Sequence, residues 1–126
     1  MLYQLADGRF QLISGGCTAV LMAGVDYVLV RHDLAEHLAT LGVQGFQRHP
    51  AIIYRRSEDL EILTHDCLIV EAHYDLKDLE NPPLDGLRVF MVNGRMLFVT
   101  PKLRELLLDS RFRHELSFAY GRFGIA

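Results

Sequence analysis

The chain has 126 residues, half of them hydrophobic, and a formal net charge of −3. This composition predicts one globular domain over residues 1–126 and excludes an intrinsically disordered chain. No apolar run approaches the roughly 20 residues of a membrane-spanning helix, and the first residues lack a secretory signal pattern, so we expect a cytoplasmic protein without a membrane partner.

The chain starts with a predicted β-hairpin. Residues 2–6 alternate apolar and polar side chains, Asp7 to Arg9 form a turn sequence, and FQLIS continues as a second strand. The segments CTAVLM and DYVLV are rich in strand-forming residues and are separated by AG. Two further strands are therefore expected before residue 31.

The segment VLVRHDLAEHL, residues 28–38, predicts a strand that passes directly into a helix. Arg31 or Asp33 lies at the helix entry, and Gly42 suits a left-handed helix end. The apolar stripe of this helix consists of Leu34, Leu38 and Leu41. The following GFQ and AIIYRR predict strands, and Pro50 between them favours an edge or a bend.

The middle of the chain is more polar. SEDLEIL predicts a turn or a single helical turn, and CLIVEAHY predicts a buried strand. The segment DLKDLENPPLDG then predicts a polar loop that Pro82 and Pro83 end, with a possible helical turn at Leu76 to Leu79.

A second strand-to-helix segment, LFVTPKLRELL at residues 97–107, follows a hairpin with Asn93-Gly94 at its turn. Val99 is expected to end a central strand, Thr100 to cap the helix, and Pro101 to be its first residue. The leucines expected to face the sheet are Leu103, Leu106 and Leu107. HELSFAYGRF predicts a closing strand.

The two segments align with Val30 matching Val99 and Leu34 matching Leu103. This similarity is either a pseudo-repeat of two strand–helix–strand units or a coincidence, because a strand followed by an amphipathic helix is common. In both cases the pattern predicts an α+β fold, a mostly antiparallel sheet with two short amphipathic helices.

The sequence contains no motif that predicts a catalytic, cofactor or metal site. His32 and His37 lie on different helix faces, whereas a metal-binding pair needs one face. His65 and Cys67 share a strand face without further local ligands. Cys17 and Cys67 have no paired spacing, so we expect two reduced thiols in the core.

The charges are distributed unevenly along the chain. Between Ser57 and Asp85 one base, Lys77, accompanies nine acids, which gives this window about −8 and the rest of the chain about +5. The acids are Glu58, Asp59, Glu61, Asp66, Glu71, Asp75, Asp78, Glu80 and Asp85. An acidic surface of this kind either attracts a basic protein partner or keeps a loop hydrated.

The segment VNGRMLFVTPKLRELLLD, with the later LSFAY, resembles the C-terminal signature of immunity family 11 of bacterial polymorphic toxin systems. DYVLVRHDLAEHLATLGVQGFQ is similar to a related pattern in neighbouring immunity families. The resemblance covers about half of the chain. It implies a cytoplasmic antidote that binds and blocks a cognate toxin and needs no catalytic residues.

The leading hypothesis is therefore a non-enzymatic immunity protein without a cofactor, which occludes a toxin's active site. Its expected contacts are Glu58, Asp59, Glu61, Asp75, Asp78 and Glu80. One alternative is a small enzyme that uses Cys67 with His65 or His73. Another is a nucleic-acid-binding module, against which the acidic middle argues, with the basic residues Arg88, Arg95, Lys102, Arg104, Arg111, Arg113 and Arg122. The identity of the toxin and the oligomeric state stay open.

Overall fold

A computed structural model describes residues 2–12, 18–75, 77 and 85–118 of the chain. In this part, the strands are β1 (Leu2–Gln4), β2 (Phe10–Leu12), β3 (Leu21–Gly24), β4 (Tyr27–Arg31), β5 (Phe46–Pro50), β6 (Ile53–Arg55), β7 (Leu60–Ile62), β8 (His65–Val70), β9 (His73–Tyr74), β10 (Val89–Val92) and β11 (Met96–Val99). The helices are α1 (His32–Leu41) and α2 (Pro101–Leu108), and a 3₁₀ turn spans Arg56–Glu58. The predicted α+β fold is confirmed.

A central sheet with the strand order β3-β4-β8-β5 organises the molecule, and all its pairs are antiparallel. Successive side chains of a strand point to opposite faces of the sheet, so each strand contributes side chains to the packing on both faces. On β4, Val28 and Val30 pack in one hydrophobic cluster, whereas Leu29 packs in another. The predicted buried strand CLIVEAHY corresponds to β8 and, after a break, to β9.

The first face of the central sheet is covered by α1, α2 and β10. Leu34 and Leu38 of α1 and Leu103 and Leu107 of α2 are buried in this cluster, as the leucine spacing predicts. Phe112, which follows α2, is fully buried in the same cluster.

The second face is covered by an outer sheet with the order β1-β2-β6-β7. The expected hairpin of β1 and β2 is present, and β6 and β7 form another hairpin. The two hairpins join through a parallel pair, β2 with β6, in which Phe10 lies beside Ile53. Buried Leu29 of the central sheet packs against this layer.

A small third sheet has the order β11-β10-β9, with β9 parallel to β10. The β10–β11 turn has positive φ angles at Asn93 (55°) and Gly94 (65°), as the predicted turn requires. The Asp26 N–H donates to the Gly94 carbonyl at 2.9 Å, and this hydrogen bond links the β3–β4 turn to the β10–β11 turn.

The helix ends agree with the sequence in part. Gly42 ends α1 with a φ of 79°, and the N–H groups of Gly42 and Val43 donate to Ala39 and Leu38 carbonyls. Pro101 is the first residue of α2. Thr100 occupies the predicted N-cap position, but its hydroxyl makes no capping bond to the helix. The hydroxyl donates to the Gly86 carbonyl at 2.7 Å and accepts from the Arg88 N–H at 3.2 Å.

Other expectations need correction. In the predicted closing strand, residues 114–118 form a turn end and irregular backbone rather than a strand, and residues 119–123 lie outside the described residues. Val99 ends β11, which in the part of the chain that the structure describes is an edge strand rather than a central one. SEDLEIL contains the end of the 3₁₀ turn and, beyond the prediction, all of β7. Ala23-Gly24 belongs to β3, and the turn follows it. Cys17 and the predicted helical turn at residues 76–79 (except Lys77) lie outside the described residues.

Candidate functional site

The hairpin of β6 and β7 carries three of the six acids expected to contact a partner: Glu58, Asp59 and Glu61. Residues Arg56–Glu58 form a 3₁₀ turn, and Asp59 ends it with a left-handed φ of 47°, which aspartate tolerates better than most residues. All three acids are exposed. We call this segment, residues 53–62, the acidic hairpin.

One side chain of β6 and one from the connection before β2 hold two of these acids in place. The Tyr54 hydroxyl donates to Asp59 Oδ1 at 2.8 Å, and this bond raises the pKa of Tyr54. Arg9 Nη1 donates to Glu61 Oε2 at 3.3 Å, and the Arg9 guanidinium lies 4.5 Å from the centre of the Tyr54 ring. The acids are therefore preorganised, because the β1–β2 connection and β6 supply their partners.

The same contacts balance much of the charge on the acidic hairpin. Arg55 lies 3.7 Å from Glu58, and Arg9 pairs with both Glu61 and Asp7. The expectation of a strongly negative surface depended on counting charges from Ser57 onward. That count omits the basic residues, earlier in the chain, that the fold places beside these acids. The hairpin is therefore less negative than its acids alone indicate, and its long-range electrostatic attraction is correspondingly weaker.

The backbone of β7 also offers an open edge, since β7 is the last strand of the outer sheet among the described residues. The Phe10 N–H donates to the Ile52 carbonyl at 2.9 Å, so Ile52 faces β2. Because backbone groups alternate between the two sides of a strand, Ile53 then faces its partner Ile62 in β7. Glu61 consequently turns its N–H and carbonyl away from β6, toward the open edge.

Two apolar side chains flank that edge. Leu60 is 47% exposed and Leu63 is 61% exposed, although both are residues that cores usually bury. With an exposed leucine on each side of Glu61 in sequence, the edge presents both polar and apolar groups.

The other three expected contacts do not join the acidic hairpin. Asp75 is exposed but directly follows β9, in the small sheet rather than the outer one. Asp78 and Glu80 lie outside the described residues. Within the described chain, the proposed site therefore consists of Glu58, Asp59 and Glu61, with Asp75 on a separate sheet.

The Cys67 environment does not activate the thiol. Cys67 packs against the cluster between the central and outer sheets, and burial raises its pKa. His65 is buried, and its two ring nitrogens lie 2.7 Å from the Ala19 carbonyl and 2.8 Å from Thr64 Oγ1. His73 Nε2 lies 2.8 Å from the Val70 carbonyl. Across the described residues, no three His, Cys, Asp or Glu side chains form a group that could hold a metal.

A polar cluster that the sequence did not predict lies at the start of α1. His32 Nδ1 is 3.1 Å from Asp66 Oδ1, and Arg48 Nε is 3.4 Å from Asp66 Oδ2. Asp66 is 5% exposed, and Arg48 also pairs with Glu36 at 2.9 Å. These residues come from α1, β5 and β8, so their separation in sequence conceals the cluster.

The basic C-terminal residues are partly paired. Arg111 contacts Asp33 at 3.4 Å, and Arg88 lies 3.8 Å from Asp85. Arg104 and Arg111 also lie over the rings of Phe118 and Phe112. Arg122 lies outside the described residues. These contacts give the basic residues structural roles within the fold.

A groove of about 340 Å³ lies where the central and small sheets meet. Glu71, Tyr74 and Arg88 line the groove. Gly45 also lines it, and a Cβ atom at this position would come within 2.8 Å of the Val89 carbonyl. The groove lies at a different place in the fold from the acidic hairpin.

Comparison of the chain with protein-family models, with curated proteins and with solved structures finds no significant match. Neither described helix has the length and apolar character to cross a membrane.

Proposed function

We propose that the protein is a non-enzymatic, cytoplasmic immunity protein that binds a cognate toxin and occludes its active site. The edge of β7, open among the described residues, carries this proposal, because it presents Glu61, whose backbone groups face away from β6, between two exposed leucines. The resemblance of the strand–helix segments to bacterial immunity families supports the same function.

The preorganisation of the acidic hairpin favours binding. A partner that meets fixed side chains loses less conformational freedom on association than one that must order flexible acids. Basic side chains of a toxin, such as those that line a substrate groove for an anionic substrate, would complement Glu58, Asp59 and Glu61. The open backbone of Glu61 adds hydrogen bonds of the kind that strand addition provides.

Co-expression with the toxin domain encoded immediately upstream tests the function. We expect the protein to prevent toxicity and to form a complex that remains together on a sizing column. A neighbour that is not toxic, or a toxic neighbour that forms no complex, contradicts the proposal.

Charge reversal at the site tests the surface. We expect Glu58→Lys with Glu61→Lys to weaken toxin binding by about tenfold or more, since losing about 1.4 kcal/mol of binding free energy has that effect. Melting should change little, because both acids are exposed. Titration calorimetry and thermal melts of the same samples measure the two effects.

A matched control is Glu105→Lys with Asp109→Lys, which reverses two exposed acids at α2. This control should bind like the unaltered protein. Equal loss of affinity in both variants would indicate an effect of net charge, and unchanged affinity in the hairpin variant would place the toxin on another surface.

A further inference from the structure

His32 has two hydrogen-bond partners that can only accept. Its Nδ1 lies 3.1 Å from Asp66 Oδ1, and its Nε2 lies 2.8 Å from the Leu63 carbonyl oxygen. A neutral imidazole carries a proton on one nitrogen only, so it can satisfy one of these oxygens and must face the other with a lone pair. The imidazolium donates to both.

His65 provides an internal comparison. Its Nε2 faces the Ala19 carbonyl, which accepts, but its Nδ1 faces the Thr64 hydroxyl, which can donate. The neutral imidazole with its proton on Nε2 therefore satisfies both partners of His65. His32, at the start of α1, has no such donor among its two partners.

The His32 ring can exchange protons with solvent, because its side chain is half exposed. The charged groups around it are Asp66 from β8, which favours the imidazolium, and Arg48 from β5, which opposes it. Glu36 of α1 pairs with Arg48 and offsets part of that opposition. Arg31 and Asp33, on either side of His32 in the chain, pair with each other at 2.8 Å.

We propose that His32 is a pH-sensitive latch, which as an imidazolium ties the connection between β7 and β8 to the start of α1. That connection, Leu63-Thr64, is where the chain passes from the outer sheet to the central sheet. Deprotonation removes the bond to Leu63 or the bond to Asp66. The backbone bond from the His32 N–H to the Thr64 carbonyl, 3.0 Å long, remains.

The sign of the pH dependence follows from the two bonds. The hydrogen bond to Asp66 is the main cause that raises the pKa of His32, and the bond to the Leu63 carbonyl adds to it. A group whose pKa is higher in the folded state stabilises the fold fully below its ordinary pKa. This stabilisation is lost as the pH rises through the folded-state pKa of His32.

Nitrogen NMR of the imidazole rings across the neutral range tests the latch in the complete protein. We expect both His32 nitrogens to be protonated at pH values where an exposed histidine is already neutral, and the amides of Leu63 and Thr64 to shift with the same midpoint. A His32 midpoint at or below that of an exposed histidine overturns the proposal, as does a raised midpoint that these amides do not follow.

Variants supply a second measurement. The denaturation midpoint of the unaltered protein should exceed that of His32→Gln by an amount that decreases as the pH rises. His114→Gln, which changes an exposed histidine, should show no such trend. A pH-independent difference for His32→Gln overturns the latch. If His32→Gln does not fold, the titration of the His32 ring in the unaltered protein tests the latch by itself.

Discussion

Thr100 is a buried polar residue whose hydroxyl stabilises a loop. The side chain is completely inaccessible, and its hydroxyl bonds the Gly86 carbonyl and the Arg88 N–H. Arg88 also accepts from the Thr100 N–H at 3.1 Å. The residue therefore fixes the entry to β10 against the start of α2.

Removal of this hydroxyl should be costly. We expect Thr100→Ala to lower the free energy of unfolding by about 1–3 kcal/mol, because two backbone groups next to a buried site lose their partner. Urea denaturation measures the change. Thr100→Ser keeps the hydroxyl and should lose less; equal losses in the two variants would assign the effect to the missing methyl group.

At the scale of elements, α2 is held by one stripe of leucines. Leu103 is fully buried and Leu107 is nearly so, whereas Leu106 is only partly buried. Lys102 and Arg104 project from the exposed side of the same helix. The packing of α2 against the core therefore depends on the two buried leucines more than on the length of the helix.

Truncation of these leucines should destabilise the protein strongly. Leu103→Ala and Leu107→Ala should each cost about 2–5 kcal/mol, the usual loss when a buried leucine leaves a cavity. Lys102→Ala, on the exposed side, should change the free energy of unfolding by less than about 0.5 kcal/mol. Leucine variants that melt like the parent would show that α2 does not anchor the core.

Local signals made many of these elements predictable. The spacing of the leucines, Gly42 after α1 and the Asn93-Gly94 turn each act within a few residues, so the sequence reveals them. The pairing of β2 with β6 and the division into three sheets depend on residues far apart in the chain, and no local pattern encodes them.

The candidate site was predictable to a similar degree. The acids of the hairpin and their exposure follow from the run SEDLE. Their pairing with Arg9, and the contact of His32 with Asp66, arise only when the sheets assemble, because each pair joins distant segments. Charge counted along the sequence therefore overstated the negative character of the hairpin.

At the scale of the whole molecule, the central sheet is the shared wall of two hydrophobic clusters. Leu29 faces the outer sheet, while its neighbours Val28 and Val30 face the helices. Loss of packing on one face removes support from the strands that form the other face. We therefore expect the helical and outer layers to unfold together.

Ile53→Ala tests this coupling from the outer sheet, where Ile53 is fully buried. The variant should lose about 2–5 kcal/mol of stability. Helical circular dichroism and tyrosine fluorescence should still report one denaturation midpoint, as a two-state transition requires. Separate midpoints would indicate that the outer sheet unfolds independently of the helices.

The parallel pairing of β2 with β6 also sets an order of folding. Phe10 and Ile53 meet only after the chain has closed a long loop that contains β3, β4, α1 and β5. Loop closure costs entropy before the contact contributes, so such pairs form late, whereas the β6–β7 hairpin can form locally and early. We therefore expect the acids at residues 58–61 to form first as part of an isolated hairpin and to pair with Arg9 later. During refolding, the surface proposed to bind the toxin would exist first in a more negative and less ordered form.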